Sequence, residues 1–439
     1  LPRLGEYRAE IEQRVSEYVG QSVAIEYIEA GWRGWTPEIR LTGIELREPS
    51  TGRAITRFAE ASVAIDALGT LRARRLTPAR LTVSGVRVSL ARSADGALRI
   101  EGVNPRDTDE PGARQNALAD WLQHQANLTV ESATITWRDE QAMLAPVVFS
   151  DVWLQIRNDG DRHQLFGAAR LPVEVGKRFH FLLDARGDLL TTRWSGDFYI
   201  EELGIDPARV LNYRRWLGLD FASGEVGFRL WSRWESARLQ SIDGLLDAKG
   251  VTLGLRQSPA PDSRLTLAGA SASLRVRHDA AGHWAVALEK LVVNTRNGEW
   301  PASSIELTVV PGQTSQAPSL VGRAGYLRLD DIMPLVPNIA ALPETLRAPL
   351  AQLAPRGEVR DLRVGYFPAR PADQRFYLQA AFDGIEVRPY AGAPGVTGLR
   401  AKLKADAAGG RLDVDAPALT LTLPGTTEAS SYAFQRVGG

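Results

Sequence analysis

The sequence predicts a mainly β protein: an elongated, curled antiparallel sheet forming an apolar groove, with an N-terminal amphipathic helix and a few short covering helices. Three observations lead there. Apolar and polar residues alternate with period two through most of the 439 residues, as half-buried strands require. Helical periodicity is confined to a few short stretches. No strong linker cuts the chain into sandwich-sized pieces, "NPRDTDEPG" (104–112) and "VPGQTSQAPS" (310–319) being the best candidates.

Taken in order, residues 4–19 read as a helix, because Tyr7, Ile11, Val15 and Tyr18/Val19 recur every three to four positions and Gly20 offers a stop. The period then changes to two. In "EAGWRGWTPEIRLTGIEL" (29–46), Gly31 and Gly34 permit a sharp bend and Pro37 opens the next strand at an edge-tolerant position. Trp32 is expected to pack near the helix. Trp35 is open between packing and contact with a membrane surface. Alternating runs follow, separated by turns such as "EPSTGR" and "SADG".

Three further helical stretches interrupt the pattern. Residues 112–126 carry Trp121. Residues 206–217 begin with Asp206 as N-cap and Pro207 at the first position, stop at Gly218 and carry Trp216. Residues 342–355 read as a broken helix. The rest amounts to about two dozen strands of ordinary length. A compact sandwich hides the apolar faces of about eight to ten strands, so this chain needs several sandwiches or one long sheet curled over its apolar face. The curled sheet is preferred because no clear linkers separate sandwiches. The expected organisation is a helix plus first sheet segment at 1–103, a loop and helical insertion at 104–127, a central segment at 128–310 and a second segment at 311–439.

Composition narrows the function. Formal net charge is zero with a pI near 7.2, without the basic excess of a nucleic-acid binder. There is no cysteine, which removes disulfides, thiolate metal sites and cysteine nucleophiles. No stretch approaches the ~18 apolar residues of a membrane span. The chain begins at Leu1, without a signal peptide, and is read as a fragment.

Catalytic patterns are weak. His124, His163, His180, His278 and His283 form no zinc motif, and no G-x-S-x-G elbow pairs a serine with a histidine. "NDGDRH" (158–163) fits a hairpin turn better than a calcium loop. Asp330-Asp331 sits where an N-cap is expected. Trp231 and Trp234 are expected to pack in the core or at an edge. No enzyme activity, cofactor or metal is expected.

The order of motifs resembles the bacterial AsmA-like family. Ala30, Trp32, Arg33, Gly34 and Pro37, followed by Leu41, Ile44 and Leu46, fit its corner-and-strand signature. Residues 76–103 fit its strand pair ending in D-G-x-x-x-I-x-G. Gly357, Val359, Asp361, Leu362, Val364 and Tyr366 fit G-x-V-x-D-L-x-V-x-Y, and the strand pair in 382–424 follows the family run. The likeness is clear over 1–103 and 320–424 and weaker between. The family continues further and carries an N-terminal membrane helix, neither of which is present here.

The resemblance implies a periplasmic protein of a Gram-negative bacterium, anchored to the inner membrane through an upstream helix. It further implies a repeating β-groove, similar to bridge-like lipid transfer proteins, that conducts phospholipids between inner and outer membranes. Implied partners are phospholipid acyl chains, with outer-membrane or other envelope proteins as further candidates. The alternative is a scaffold or assembly factor for outer-membrane proteins that binds polypeptide by strand addition. A hydrolase of envelope polymers ranks third, for want of a nucleophile or acid–base pair.

On residues alone, Leu/Val alternation fits a closed core face as well as a groove. With the resemblance, the groove-lining set is Val63, Ile65, Leu81, Val83, Val86, Val88, Leu128, Val130, Ile135, Val152, Leu154 and Ile156, then Leu274, Val276, Val286, Leu288, Leu307, Val309, Leu378, Leu421 and Leu423. A single bulge inverts the inward set on any strand.

Overall fold

Alternation resolves into strands throughout the computed structural model. It describes residues 7–19, 22–47, 54–73, 78–92, 98–100, 127–140, 146–189, 191–210, 220–254, 264–279, 281–312, 317–336, 344–424 and 430–439. The chain divides into two compact units. Unit 1 is residues 1–203 with 233–238, and unit 2 is residues 204–232 with 239–439.

Unit 1 opens with α1 (Arg8–Val19), then β1 (Ser22–Arg33), β2 (Thr36–Arg47) and β3 (Ala54–Ile65), α2 (Ala67–Ala73), β4 (Pro78–Ser84), β5 (Arg87–Arg92) and β6 (Leu98–Ile100). It continues with β7 (Asn127–Asp139), β8 (Val147–Asp159), β9 (Arg162–Arg170), β10 (Arg178–Asp188) and β11 (Arg193–Ile205). Neighbouring strands pair antiparallel, except that β4 and β5 both pair parallel with β7. Those two act as one strand kinked at Gly85, whose N–H still reaches Glu131 O at 3.0 Å. A parallel seam needs a crossover of a dozen or more residues, and residues 93–126 supply the length. The expected helix at 112–126, with Trp121, lies outside the described residues.

The period-3.6 stripe of α1 has a visible purpose. Ile11 and Val15 pack on Val23, Ile25, Ile28 and Ile44. Ser16 Oγ accepts the N–H of Val23 at 2.9 Å, and Glu12 Oε1 accepts that of Ile25 at 2.7 Å. Those are outward-facing donors of an edge strand, so α1 blocks part of an edge that could otherwise recruit another chain.

Unit 2 contains α3 (Pro207–Val210), most of β12 (Asp220–Glu235) and of β13 (Arg238–Gly254), then β14 (Leu265–His278), β15 (Trp284–Thr295), β16 (Gly298–Glu299) and β17 (Ser303–Val310). After these come β18 (Ser319–Arg328), α4 (Leu329–Ile332), α5 (Glu344–Leu353), β19 (Arg356–Tyr366), β20 (Phe376–Val387), β21 (Gly395–Asp406), β22 (Gly410–Thr422) and β23 (Ser431–Gly438). Asp206 Oδ1 accepts Ala208 N at 2.9 Å, as an N-cap does. The rest of the expected 206–217 helix, including Trp216, lies outside the described residues from 211 onward. Pro349 lies inside α5.

In each unit the sheet is open and curled: among the described residues no pairing joins β11 to β1 or β23 to β13. Curvature has a local cause. Many strands contain one residue in the left-handed region at or next to a register shift, such as Ser132 (φ 51°), Asp151 (51°), Lys290 (52°) and Asp361 (51°). Such bulges bend a strand and raise its twist.

One expectation is corrected here. Neither Asp330 nor Asp331 caps α4, whose N-cap is Arg328 without a side-chain cap bond. Asp330 Oδ2 instead accepts Gly357 N at 2.9 Å. Buried Asp331 accepts from Thr295 Oγ1 (3.1 Å), Asn297 Nδ2 (2.7 Å) and Trp300 Nε1 (2.8 Å), tying the turn after β15 to α4. Residues more than thirty positions away claim the carboxylate, a competition that local capping rules do not capture.

Candidate functional site

Register places the apolar positions in continuous ladders. In unit 1 one row runs Ile39, Val63, Leu81, Leu128, Ile156, Leu165, Leu183 and Phe198, directly paired from β2 through β11. Beside it runs Leu41, Ala61, Val83, Val130, Leu154, Gly167, Phe181 and Ile200. Paired residues share a face, so both rows lie on one side of the sheet. Val88 pairs with Ile135. Val86, Val130 and Ile135 pack against Ala133 and Val152 on that side. Ile65 follows Val63 by two and lies opposite Pro78 at a register shift.

Unit 2 repeats the arrangement. Ile242, Val276, Val286, Leu307, Gly322, Val364 and Leu378 form one row from β13 to β20. Gly244, Leu274, Leu288, Ile305 and Ala324 form its neighbour. Trp284, Val309, Leu320, Tyr366 and Phe376 form a third. Leu421 pairs with Val396, itself paired with Val387 of the same face. Leu423 is exposed at the end of that strand.

The reverse face is mostly polar, with Phe166, Leu182 and Tyr199 as an apolar ladder on it across β9–β11. In unit 2 a row displaced by one residue reads Asp243, Arg275, Ala287, Glu306, Arg323, Arg363, Gln379, Lys404 and Arg411. In unit 1 the reverse face carries Arg40 bonded to Glu60, and Arg162 bonded to Asp184. The Arg162 guanidinium donates to Asp184 at 2.9 and 2.6 Å and holds its carboxyl below the usual carboxylate range. Gln164 and Arg186 act the same way, against the desolvation that opposes them.

Burial separates this face from an ordinary core. Val276 is buried, but along the same row Leu307 is 43% and Val364 39% exposed; in the neighbouring row Tyr366 is 46% and Phe376 42% exposed. Exposed apolar residues along these rows are the pattern of an open face rather than of a closed interior.

Other candidate positions have structural duties. His163 Nδ1 lies 2.9 Å from Asn158 Oδ1 in the β8–β9 hairpin, so "NDGDRH" is a turn. His278 stacks on Trp284 with ring centroids 4.4 Å apart. His283 Nδ1 lies 2.8 Å from Asp279 Oδ2, and the backbone N–H of His283 keeps the Asp279 carboxyl below its ordinary range. His124 lies outside the described residues. Among the described residues no group of three His, Asp or Glu could hold a metal.

Trp32 departs from the expected packing, and Trp35, which the sequence leaves open between packing and a membrane surface, is exposed as well. Trp32 is 63% and Trp35 95% exposed, on the β1–β2 turn where Gly34 takes φ 63°. Ile28 is the last residue of β1 in the buried cluster on which Ile11 and Val15 pack, and the hairpin tip lies beyond it. Trp234 does pack, on Trp194 with centroids 5.8 Å apart, whereas Trp231 is exposed.

A family model described as YhdP protein matches residues 1–436. No curated protein and no solved structure gives a match.

Proposed function

The chain belongs to the YhdP family, and on that premise we propose that it conducts phospholipids, their acyl chains lying along the apolar rows of each unit. The observation that carries the proposal is the one-sided ladder: apolar residues paired strand after strand on one face, half-open to solvent, with arginines and carboxylates on the other. Each methylene taken out of water is worth about 0.8 kcal/mol, so a diacyl lipid with about thirty faces a barrier on the order of 20 kcal/mol to cross water alone. A half-open apolar face lowers that barrier without sealing the lipid in. The headgroup stays in solvent, so discrimination between headgroups is weak.

In this reading the chain works in the periplasm, held at the inner membrane by a segment upstream, and passes lipid towards the outer membrane. Strand addition of polypeptide is the less favoured alternative, because the edge of β1 is partly covered by Glu12 and Ser16 of α1. The test is native mass spectrometry of the purified chain. Co-purifying phospholipid in roughly the headgroup proportions of the host membrane is expected; a lipid-free chain contradicts the reading.

A further inference from the structure

The β1–β2 hairpin and α2 stand at the same end of unit 1. Arg33 pairs with Thr36 across the turn, Glu38 pairs with Ala64, and Ile65 pairs with Pro78 just before and after α2. That end presents four large apolar side chains to solvent: Trp32 and Trp35 on the hairpin, with Leu68 and Leu71 on α2 at 70% and 77% exposure. Water is a costly neighbour for so many exposed apolar groups within two short elements.

Charge says what covers them. Formal net charge over the whole chain is zero, yet between Asp66 and Asp95 the sequence holds arginines and no acidic residue, including "LRARR" directly on α2 and after it. Arg72 is exposed in the last turn of α2. A protein partner for an arginine-rich patch would need a matching acidic surface, and nothing calls for the tryptophans to be raised on a tip. An anionic bilayer meets both features at once. Tryptophan is favoured at the headgroup level, leucine enters the acyl boundary, and arginine stays with the phosphates.

We propose that this end of unit 1, with Trp32, Trp35, Leu68 and Leu71 inserted and Arg72 beside them, docks on an anionic lipid bilayer. The docking does not depend on conduction along the groove. It gives the sheet a defined end at which lipid can enter or leave.

Flotation with vesicles tests it. The chain floats with phosphatidylethanolamine vesicles containing phosphatidylglycerol and not with phosphatidylcholine vesicles. Trp32→Ser with Trp35→Ser lowers vesicle affinity at least tenfold, as does Leu68→Ser with Leu71→Ser. These side chains are exposed, so melting temperatures stay unchanged. Arg72→Glu with Arg74→Glu and Arg75→Glu lowers it about a hundredfold or more, from ~1 kcal/mol per arginine at an anionic surface. Failure of the unmodified chain to float overturns the inference, as does a tryptophan or leucine variant that floats like the parent. A photo-crosslinking residue at position 35 that captures only polypeptide in cells also overturns it. Lipid carried by the purified chain is measured separately, so either proposal can fail alone.

Discussion

The indole N–H of Trp300 donates to Asp331 Oδ2 at 2.8 Å, with both residues buried. Thr295 and Asn297 donate to the same carboxylate, and Arg328 Nη1 lies 3.8 Å away. One side chain thus fastens the turn after β15 to the start of α4. Asp331→Ala leaves the buried Trp300 N–H without its acceptor and removes the bonds from Thr295 and Asn297, and is expected to cost about 2 kcal/mol or more. Urea unfolding measures it, and a loss below about 1 kcal/mol would show that the hub is not structural.

Gly357 begins the run that ends in Tyr366. It sits at φ 103°, and a Cβ there would lie 2.6 Å from Gly384 O. Gly357→Ala is expected to cost about 2 kcal/mol or more through strain and contact. Asp361, four residues on, holds φ 51° at a bulge. Asp361→Gly is expected to be nearly neutral, within about 0.5 kcal/mol, because relief of the left-handed strain offsets the added freedom of the unfolded chain. Thermal melts of the two variants separate these outcomes.

Asp184 predicts a pH signature. Arg162 depresses its folded pKa, so the stabilisation is present above the unfolded value of about 4 and is lost as pH falls through the lower folded value. Asp184→Asn should therefore be less stable than the parent at neutral pH, with the gap closing below about pH 4. A gap that stays constant into acid would contradict the assigned role of the Arg162 contact.

Charge on the apolar row separates function from folding. Leu307 is exposed on that row, so Leu307→Asp should leave stability within about 0.5 kcal/mol of the parent. Bound phospholipid, read by native mass spectrometry, should fall. Leu154→Asp, in a half-buried position, should lower both. An unchanged lipid load in Leu307→Asp would remove that row from the lipid path.

Much of this was legible in the residues. Alternation located the strands, and the stripe of Ile11 and Val15 located α1. Phase was harder to read. Val130 and Ile135 differ in parity yet share a face, because Ser132 takes φ 51° between them. Nothing about a serine in a β-rich stretch announces that. Trp32 shows a different limit: its exposure depends on how far α1 packing reaches along β1. The duty of Asp331 depends on partners more than thirty positions away, beyond any local pattern. Apolar positions follow from local alternation; polar hubs follow from tertiary register.

If acyl chains are conducted as proposed, they lie on one face of the sheet and not on the other. Photo-crosslinking residues placed at Leu307 on the apolar row and at Arg323 on the polar row test it in cells. Both belong to the adjacent strands β17 and β18, so only the face differs. Phospholipid adducts at position 307 with none at 323 are expected. Equal labelling at both positions, or polypeptide adducts alone at 307, would contradict a lipid path along the apolar face.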